Sequence, residues 1–278
     1  MSVKQSKRAV GSLLLAIASI VYVSPLFIIL FNSFKSKTYI NLAPFKLPTS
    51  ENFIGWGNYL AGIDNYGFLQ SVGWTLMITI GSVVAILLFC SMFAWFITRS
   101  KNIVSRILFL LCIFSMVVPF QMVMFTLSKT ADTLHLNTPW GIIIVYLGFG
   151  AGLAVFLFTG FIKGIPLEIE EAATIDGCGP LAVFFRIVLP IMQPTYITVG
   201  ILQTMWIWND FLLPYLVLDQ RHYKTISMII QMMRGSFGRV DMGAIMACLV
   251  MAVIPMIVFY LFAQKYIIEG VAAGAVKG

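Results

Sequence analysis

The sequence predicts an all-α membrane protein with six transmembrane helices, and three observations support this prediction. Hydrophobic residues make up 60% of the 278 residues and charged residues only 10%, far below the quarter or so that is typical of a soluble domain. Long uncharged runs recur along the chain, and a run of about 18 or more apolar residues can span a bilayer. Because lipid offers the backbone no hydrogen-bonding partner, each of these runs must be helical.

The uncharged or nearly uncharged runs give the positions of the predicted spans. At a rise of about 1.5 Å per residue, each run can cross a hydrocarbon core of about 30 Å with some tilt. The predicted spans are 10–32, 71–98, 107–128, 139–162, 191–218 and 242–264. We therefore predict a single transmembrane domain that occupies residues 1–278.

The positions of lysine and arginine predict the orientation of the spans. Basic residues precede the first span at Lys4, Lys7 and Arg8, and more lie in the short loop 99–106. Short basic loops near the first spans stay on the cytoplasmic side, so we expect both termini in the cytoplasm, with 163–190 on the same side. The first apolar run is too long for the core of a signal peptide, and we expect it to be retained as a span.

Composition and motifs also argue against several functions. The net charge is +7, but the basic residues are scattered at span ends, so no nucleic-acid partner is expected. The four cysteines lack CxxC spacing and the two histidines are isolated, so no metal site is expected. The glycines of "GFGAG" at 148–152 lack the lysine of a phosphate loop and predict close helix packing instead. Without a phosphate loop or a nucleophile–base constellation, the chain is not expected to be an enzyme.

The segment 163–190 has the most distinctive local pattern. Pro166 suits the first turn of a helix, the glutamates after it lie near the positive end of the helix dipole, and Gly177 suits the turn that ends it. So short a helix is unstable alone in water, and its alanines let another surface approach closely. We therefore predict a docking helix for a soluble partner. The predicted docking residues are Glu168, Glu170, Glu171, Ala172, Ala173, Asp176 and Gly177.

The alternative for this segment is an amphipathic helix that rests on lipid headgroups. Helices of that kind favour a basic polar face and large anchoring side chains. The segment 167–176 is acidic and carries alanines, which favours docking to a protein.

The spacing in this segment resembles a family pattern. "EAATIDG" at 171–177, followed by "IVLP" at 187–190, resembles the EAA loop of permease subunits in binding-protein-dependent ABC importers. "WNDFLLPYLVL" at 208–218 and the ending "QKYIIEGVAAGAVKG" at 264–278 are similar to the second permease subunit of maltose-type carbohydrate importers, including raffinose and multiple-sugar systems. The resemblance implies the type I ABC importer permease fold and makes the docking helix a coupling helix, seated in a cleft of the ATPase subunit.

The same resemblance implies a function and a set of partners. The chain would be the membrane permease of an ATP-driven importer that moves a carbohydrate, most simply an oligosaccharide, inward by alternating access. It would lie in membrane lipid and pair with a second permease subunit, two ATPase subunits and an extracytoplasmic sugar-binding protein, towards which the loop 219–241 would face. ATP and Mg would be bound by the ATPase subunits, and no cofactor by this chain.

The C-terminal tail, 265–278, is a second expected contact with the ATPase subunits. Its small residues alone predict disorder in water. The resemblance implies that the tail enters the ATPase interface and becomes ordered there. The expected contact residues are Ala273, Gly274, Ala275, Val276, Lys277 and Gly278.

One ionisable residue, Asp210, falls within a predicted span. A carboxylate in a membrane is a candidate functional group, and together with Trp206 and Asn209 it offers the aromatic and polar groups that bind a sugar ring. These three residues are candidates for the substrate pathway. Because Asp210 lies near the outer end of its span, a structural role at the interface is the alternative.

Other classes of function stay open on the residues alone. A self-sufficient secondary transporter or channel places coupling charges near the membrane midplane, whereas this sequence has one candidate, off centre. A permease of the same superfamily for a polyamine or phosphate is a second alternative, which the patterns at 208–218 and 264–278 disfavour. A membrane-embedded enzyme is a third, without residues for the chemistry.

Overall fold

A computed structural model describes residues 3–234 and 240–275, and over these ranges the chain is predominantly helical. Within the described residues no β-strand forms, and the extended pairing there is an isolated antiparallel bridge between Lys35 and Phe53. The predicted all-α class is confirmed.

Long apolar helices form the framework of the protein. Four helices of the described chain are long and apolar enough to cross a membrane, or up to six spans if each of two bent pairs is counted as one. The four are α1 (Val3–Asn32), α4 (Phe68–Arg99), α7 (Gly141–Ile162) and α13 (Met242–Ala275).

The two bent pairs replace the uninterrupted spans expected at 107–128 and 191–218. Helices α5 (Ile103–Val117) and α6 (Phe120–Thr133) meet at 107°, and α9 (Pro180–Ile191) and α10 (Gln193–Asn209) meet at 78°. Val118 and Pro119 are both extended between α5 and α6, because a proline disfavours the helical conformation of the residue before it. Pro194 similarly starts α10, where its missing N–H is not needed.

Five short helices connect these spans within residues 3–234 and 240–275. The segment 33–70 contains two of them, and the second ends where Gly67 takes a left-handed conformation at φ 66°. The short helices are α2 (Lys37–Leu42), α3 (Gly57–Tyr66), α8 (Leu167–Ile175), α11 (Leu212–Val217) and α12 (Ile226–Met232).

The chain forms two compact units. The first comprises Met1–Gln70 with Ile229–Val258, and the second Ser71–Met228 with Phe259–Gly278. The organisation into a single domain stays a prediction.

A buried lysine organises the loop after α1 in the first unit. The Lys35 side chain is fully buried, and its Nζ donates to the Asn32 Oδ1 at 3.1 Å and to the Ala43 carbonyl oxygen at 3.0 Å. Burial lowers the pKa of Lys35.

Helices α3 and α13 are in close contact within the first unit. A Cβ at Gly62 of α3 would lie 2.6 Å from the Cys248 Sγ of α13.

Helix α7 lies at the centre of the second unit. Its buried side chains include Tyr146 and Phe158, both 0% exposed. A Cβ at Gly152 would lie 2.8 Å from the carbonyl oxygen of Cys112 in α5, and one at Gly150 would lie 2.5 Å from the Ile86 Cδ1 of α4. The predicted close packing through these glycines is therefore confirmed, because both neighbours occupy the space that a side chain would need.

Candidate functional site

The segment 163–190 folds as a short helix, a glycine turn and a second helix. Helix α8 runs for nine residues, and Pro166, which was expected in its first turn, lies just before it as the N-cap. Gly177 takes a left-handed conformation at φ 86°. Its N–H donates to the Thr174 carbonyl oxygen at 3.0 Å, and the Cys178 N–H donates to the Ala173 carbonyl oxygen. These bonds satisfy carbonyl groups that a helix end leaves unpaired, so the predicted stop at Gly177 is confirmed.

The predicted docking residues divide between two faces of α8. Glu170 and Ala173 are buried, at 6% and 8% exposure. The prediction of Glu170 and Ala173 as docking residues is therefore wrong for a free surface, because both side chains turn inward. The exposed members of the predicted set are Glu168, Glu171, Ala172, Asp176 and Gly177. Ile175, which was not predicted, stands beside them with 85% of its surface exposed.

The buried carboxylate of α8 is held from two sides. Arg99, at the end of α4, donates through Nε and Nη2 to the Glu170 Oε1 at 3.0 and 2.6 Å. The indole Nε1 of Trp95 donates to the Glu170 Oε2 at 2.9 Å. Arg99 Nη2 also donates to the carbonyl oxygen of Ile165, just before α8, at 3.0 Å. We call Trp95, Arg99 and Glu170 the clamp.

The clamp could not be found from the sequence. Arg99 and Glu170 are 71 residues apart, and each resembles an ordinary charged residue at a span end or in a loop. The fold brings them together by placing the end of α4 against α8.

Asp210 lies between α10 and α11, where it joins three elements. Its Oδ1 accepts the N–H of Leu212 at 3.0 Å and that of Leu213 at 3.4 Å, and its Oδ2 accepts the hydroxyl of Tyr146 in α7 at 3.0 Å. The carboxylate therefore caps α11 and fixes α10 to α7. Trp206 packs edge-on against the Tyr146 ring, with centroids 5.5 Å apart.

Asn209 is not part of this group. Its Nδ2 donates to the Met205 carbonyl oxygen one helical turn back at 2.7 Å, and the bond is exposed. The fold thus brings Trp206 and Asp210 together on Tyr146. Tyr146 was not among the predicted site residues, because it is a single tyrosine in a largely apolar helix. A role of Trp206, Asn209 and Asp210 in the substrate pathway stays a prediction.

The tail is helical where the structure describes it. Helix α13 continues through Ala275, beyond the predicted end of the span at 264. The expected disorder of the isolated tail is therefore not found over Ala273, Gly274 and Ala275, because the helix of the last span simply continues into it. Val276, Lys277 and Gly278 lie outside the described residues, and contact of the tail with ATPase subunits stays a prediction.

The loop 219–241 is described up to residue 234 and from residue 240. Near its start the His222 Nδ1 lies 2.9 Å from the Asp219 Oδ2, and this hydrogen bond lowers the pKa of the exposed Asp219 carboxyl. At its end Asp241 accepts the Ala244 N–H at 3.1 Å and so caps α13. Over the described residues no group of His, Cys, Asp and Glu could hold a metal ion.

Comparison with known proteins gives a consistent result. The model of the family described as "Binding-protein-dependent transport system inner membrane component" matches residues 87–272. The "Probable starch degradation products transport system permease protein AmyC" of Thermoanaerobacterium thermosulfurigenes is 37% identical over 262 residues, which cover 94% of each chain. The "Melibiose/raffinose/stachyose import permease protein MelC" of Bacillus subtilis is 32% identical, over 96% of each chain.

A solved structure supports the fold independently. A chain in the crystal structure of a bacterial ABC transporter involved in the import of the acidic polysaccharide alginate superposes with a TM-score of 0.78. The superposition covers 96% of this chain and 98% of the other, at 22% sequence identity. With its long apolar helices, its EAA segment and these matches, the chain belongs to the family of inner membrane components of binding-protein-dependent transport systems.

Proposed function

We propose that this chain is the permease subunit of an ATP-driven importer that moves a carbohydrate, most simply an oligosaccharide, inward by alternating access. The observation that carries the proposal is α8, a short acidic helix that presents Glu171, Ala172 and Ile175 outward while its buried face is tied to α4. The carbohydrate class is supported by the relatives named for starch degradation products and for melibiose, raffinose and stachyose.

The proposed complex contains a second permease subunit, two ATPase subunits and an extracytoplasmic sugar-binding protein. Both termini lie in the cytoplasm, which places α8 on the side of the ATPase subunits. These partner subunits bind ATP and Mg, whereas this chain binds no cofactor and hydrolyses no ATP itself. The family description, which names a binding-protein-dependent system, supports the partnership.

The mechanism follows from differential contact with two states of the complex. Closure of the ATPase dimer on ATP moves the cleft in which α8 is seated, and α8 moves with it. The membrane helices then change from the inward-facing to the outward-facing state, because the closed dimer binds that state more tightly. Hydrolysis reverses the preference and returns the permease to the inward-facing state.

The complex itself provides the test. The chain is purified with its partner subunits in liposomes, and ATP hydrolysis is measured with the binding protein and maltodextrins, raffinose, a polyamine or phosphate. We expect a carbohydrate to stimulate hydrolysis and to accumulate inside. Stimulation by the polyamine or phosphate alone would contradict the carbohydrate assignment, and hydrolysis by the isolated chain would contradict its role as a subunit without an ATPase site.

A further inference from the structure

The clamp joins three elements at one point. Arg99 is the last residue of α4, Glu170 lies in the middle of α8, and the Trp95 ring packs against Phe184 of α9 with centroids 5.5 Å apart. Phe184 is fully buried. A shift of α8 therefore acts directly on the end of α4 and on the start of the following bent pair.

The chemistry of the clamp makes the connection stiff. Glu170 has only 7% of its side chain exposed and Arg99 has 21%, so water cannot readily replace either partner. The guanidinium donates two bonds to the carboxylate in a fixed planar geometry, and the indole occupies the other oxygen. Arg99 also holds the carbonyl of Ile165, so α8 is tied both before its first turn and at its centre.

The clamp lies on the face of α8 opposite the proposed docking surface. Glu171 and Ala172, the next two residues, are exposed, and Ile175 is 85% exposed. A helix of only nine residues has little internal compliance, and so a force on its exposed face reaches its buried face. The clamp therefore lies between the proposed docking surface and α4.

We propose that Trp95, Arg99 and Glu170 are positioning residues that transmit the movement of α8 to the transmembrane helix α4, so that ATP hydrolysis drives transport. This inference rests on the proposed function. Without the clamp, α8 still docks on the ATPase subunit, but its movement is taken up by the loops on either side of it. The complex then hydrolyses ATP without moving its substrate.

The test measures sugar imported per ATP hydrolysed by the whole complex in liposomes. Glu170→Gln keeps the shape of the side chain and removes its charge, whereas Trp95→Phe keeps the ring against Phe184 and removes the N–H donor. We expect both variants to assemble normally and Glu170→Gln to lower the ratio by roughly fivefold or more, the scale of a typical coupling between two sites. Arg106→Gln, at an exposed arginine in the next helix, is the matched control and should keep the wild-type ratio.

Conservative replacement separates positioning from mere stability. Arg99→Lys retains the charge but not the paired donors, and we expect it to recover part of the ratio that Arg99→Gln loses. A wild-type ratio in Glu170→Gln and Arg99→Gln overturns the proposal, as does a parallel loss of hydrolysis, import and bound ATPase subunits. If Glu170→Gln does not insert, Trp95→Phe decides: a lowered ratio supports the clamp and an unchanged ratio overturns it. A wild-type complex without sugar-stimulated hydrolysis instead contradicts the proposed function.

Discussion

Replacing Asp210 tests whether this carboxylate is structural or belongs to the substrate pathway. Asp210→Ala removes the cap of α11, worth about 1 kcal/mol, and leaves the hydroxyl of the buried Tyr146 without its partner, which costs about 1–3 kcal/mol. We expect the alanine variant to lose about 2–4 kcal/mol of unfolding free energy. Asp210→Asn keeps an oxygen for the N–H groups of Leu212 and Leu213, and its amide can donate to the tyrosine oxygen.

The asparagine variant therefore loses only the extra strength of a charged hydrogen-bond acceptor, below about 1.4 kcal/mol. If Asp210 is structural, uptake of sugar by this variant falls by less than about tenfold. Denaturant unfolding of the assembled complex and uptake into liposomes are measured on the same preparations. Combining Asp210→Ala with Tyr146→Phe in a double-mutant cycle isolates the bond between them, and we expect a coupling energy of about 1–2 kcal/mol.

Two results would refute this reasoning. Complete loss of uptake in Asp210→Asn, with stability and assembly unchanged, would place the carboxylate in the substrate pathway. Equal stability of the alanine and asparagine variants would show that the bonds to α11 and Tyr146 contribute little to the fold.

Three further predictions concern the turn after α8, the packing of α7 and the tail. Proline cannot adopt φ 86°, and an arginine at position 172 blocks close docking. We therefore expect Gly177→Pro and Ala172→Arg each to abolish uptake while leaving membrane insertion intact. Normal uptake by both variants would contradict the assignment of α8 as the docking helix. Gly152→Leu should destabilise the chain by about 1–3 kcal/mol, because the added side chain overpacks against α5. The control Gly148→Ala should leave stability unchanged, since no atom lies within 4 Å of a Cβ at that position. Thermal unfolding measures both variants. Deleting residues 272–278 should reduce the degree to which the sugar-loaded binding protein stimulates ATP hydrolysis, with a smaller effect on assembly of the complex as judged by co-purification. Unchanged stimulation would contradict a contact between the tail and the ATPase subunits.

The sequence predicted features that depend on local patterns. Apolar runs locate the spans because the requirement for an internally bonded backbone acts on each run separately. Pro166 and Gly177 bound α8 because each restricts or permits particular backbone angles. The break at Pro119 has a local signal of the same kind, since the residue before a proline avoids the helical conformation, but the prediction of an uninterrupted span at 107–128 overlooked it. The angle of 107° between α5 and α6 depends on packing between helices and has no local signal.

The two faces of α8 show where sequence reasoning ends. Glu170 and Glu171 are adjacent glutamates, and both suit an exposed acidic helix. Glu170 is nevertheless buried against Arg99, whereas Glu171 is exposed. Which one faces inward is decided by the rotation of α8 about its axis, and that rotation is set by contacts from residues far away in the chain. The two faces should therefore fail differently when they are changed. Substitution of the exposed face should detach the ATPase subunits. Substitution of the clamp should leave them bound and lower the amount of sugar imported per ATP hydrolysed.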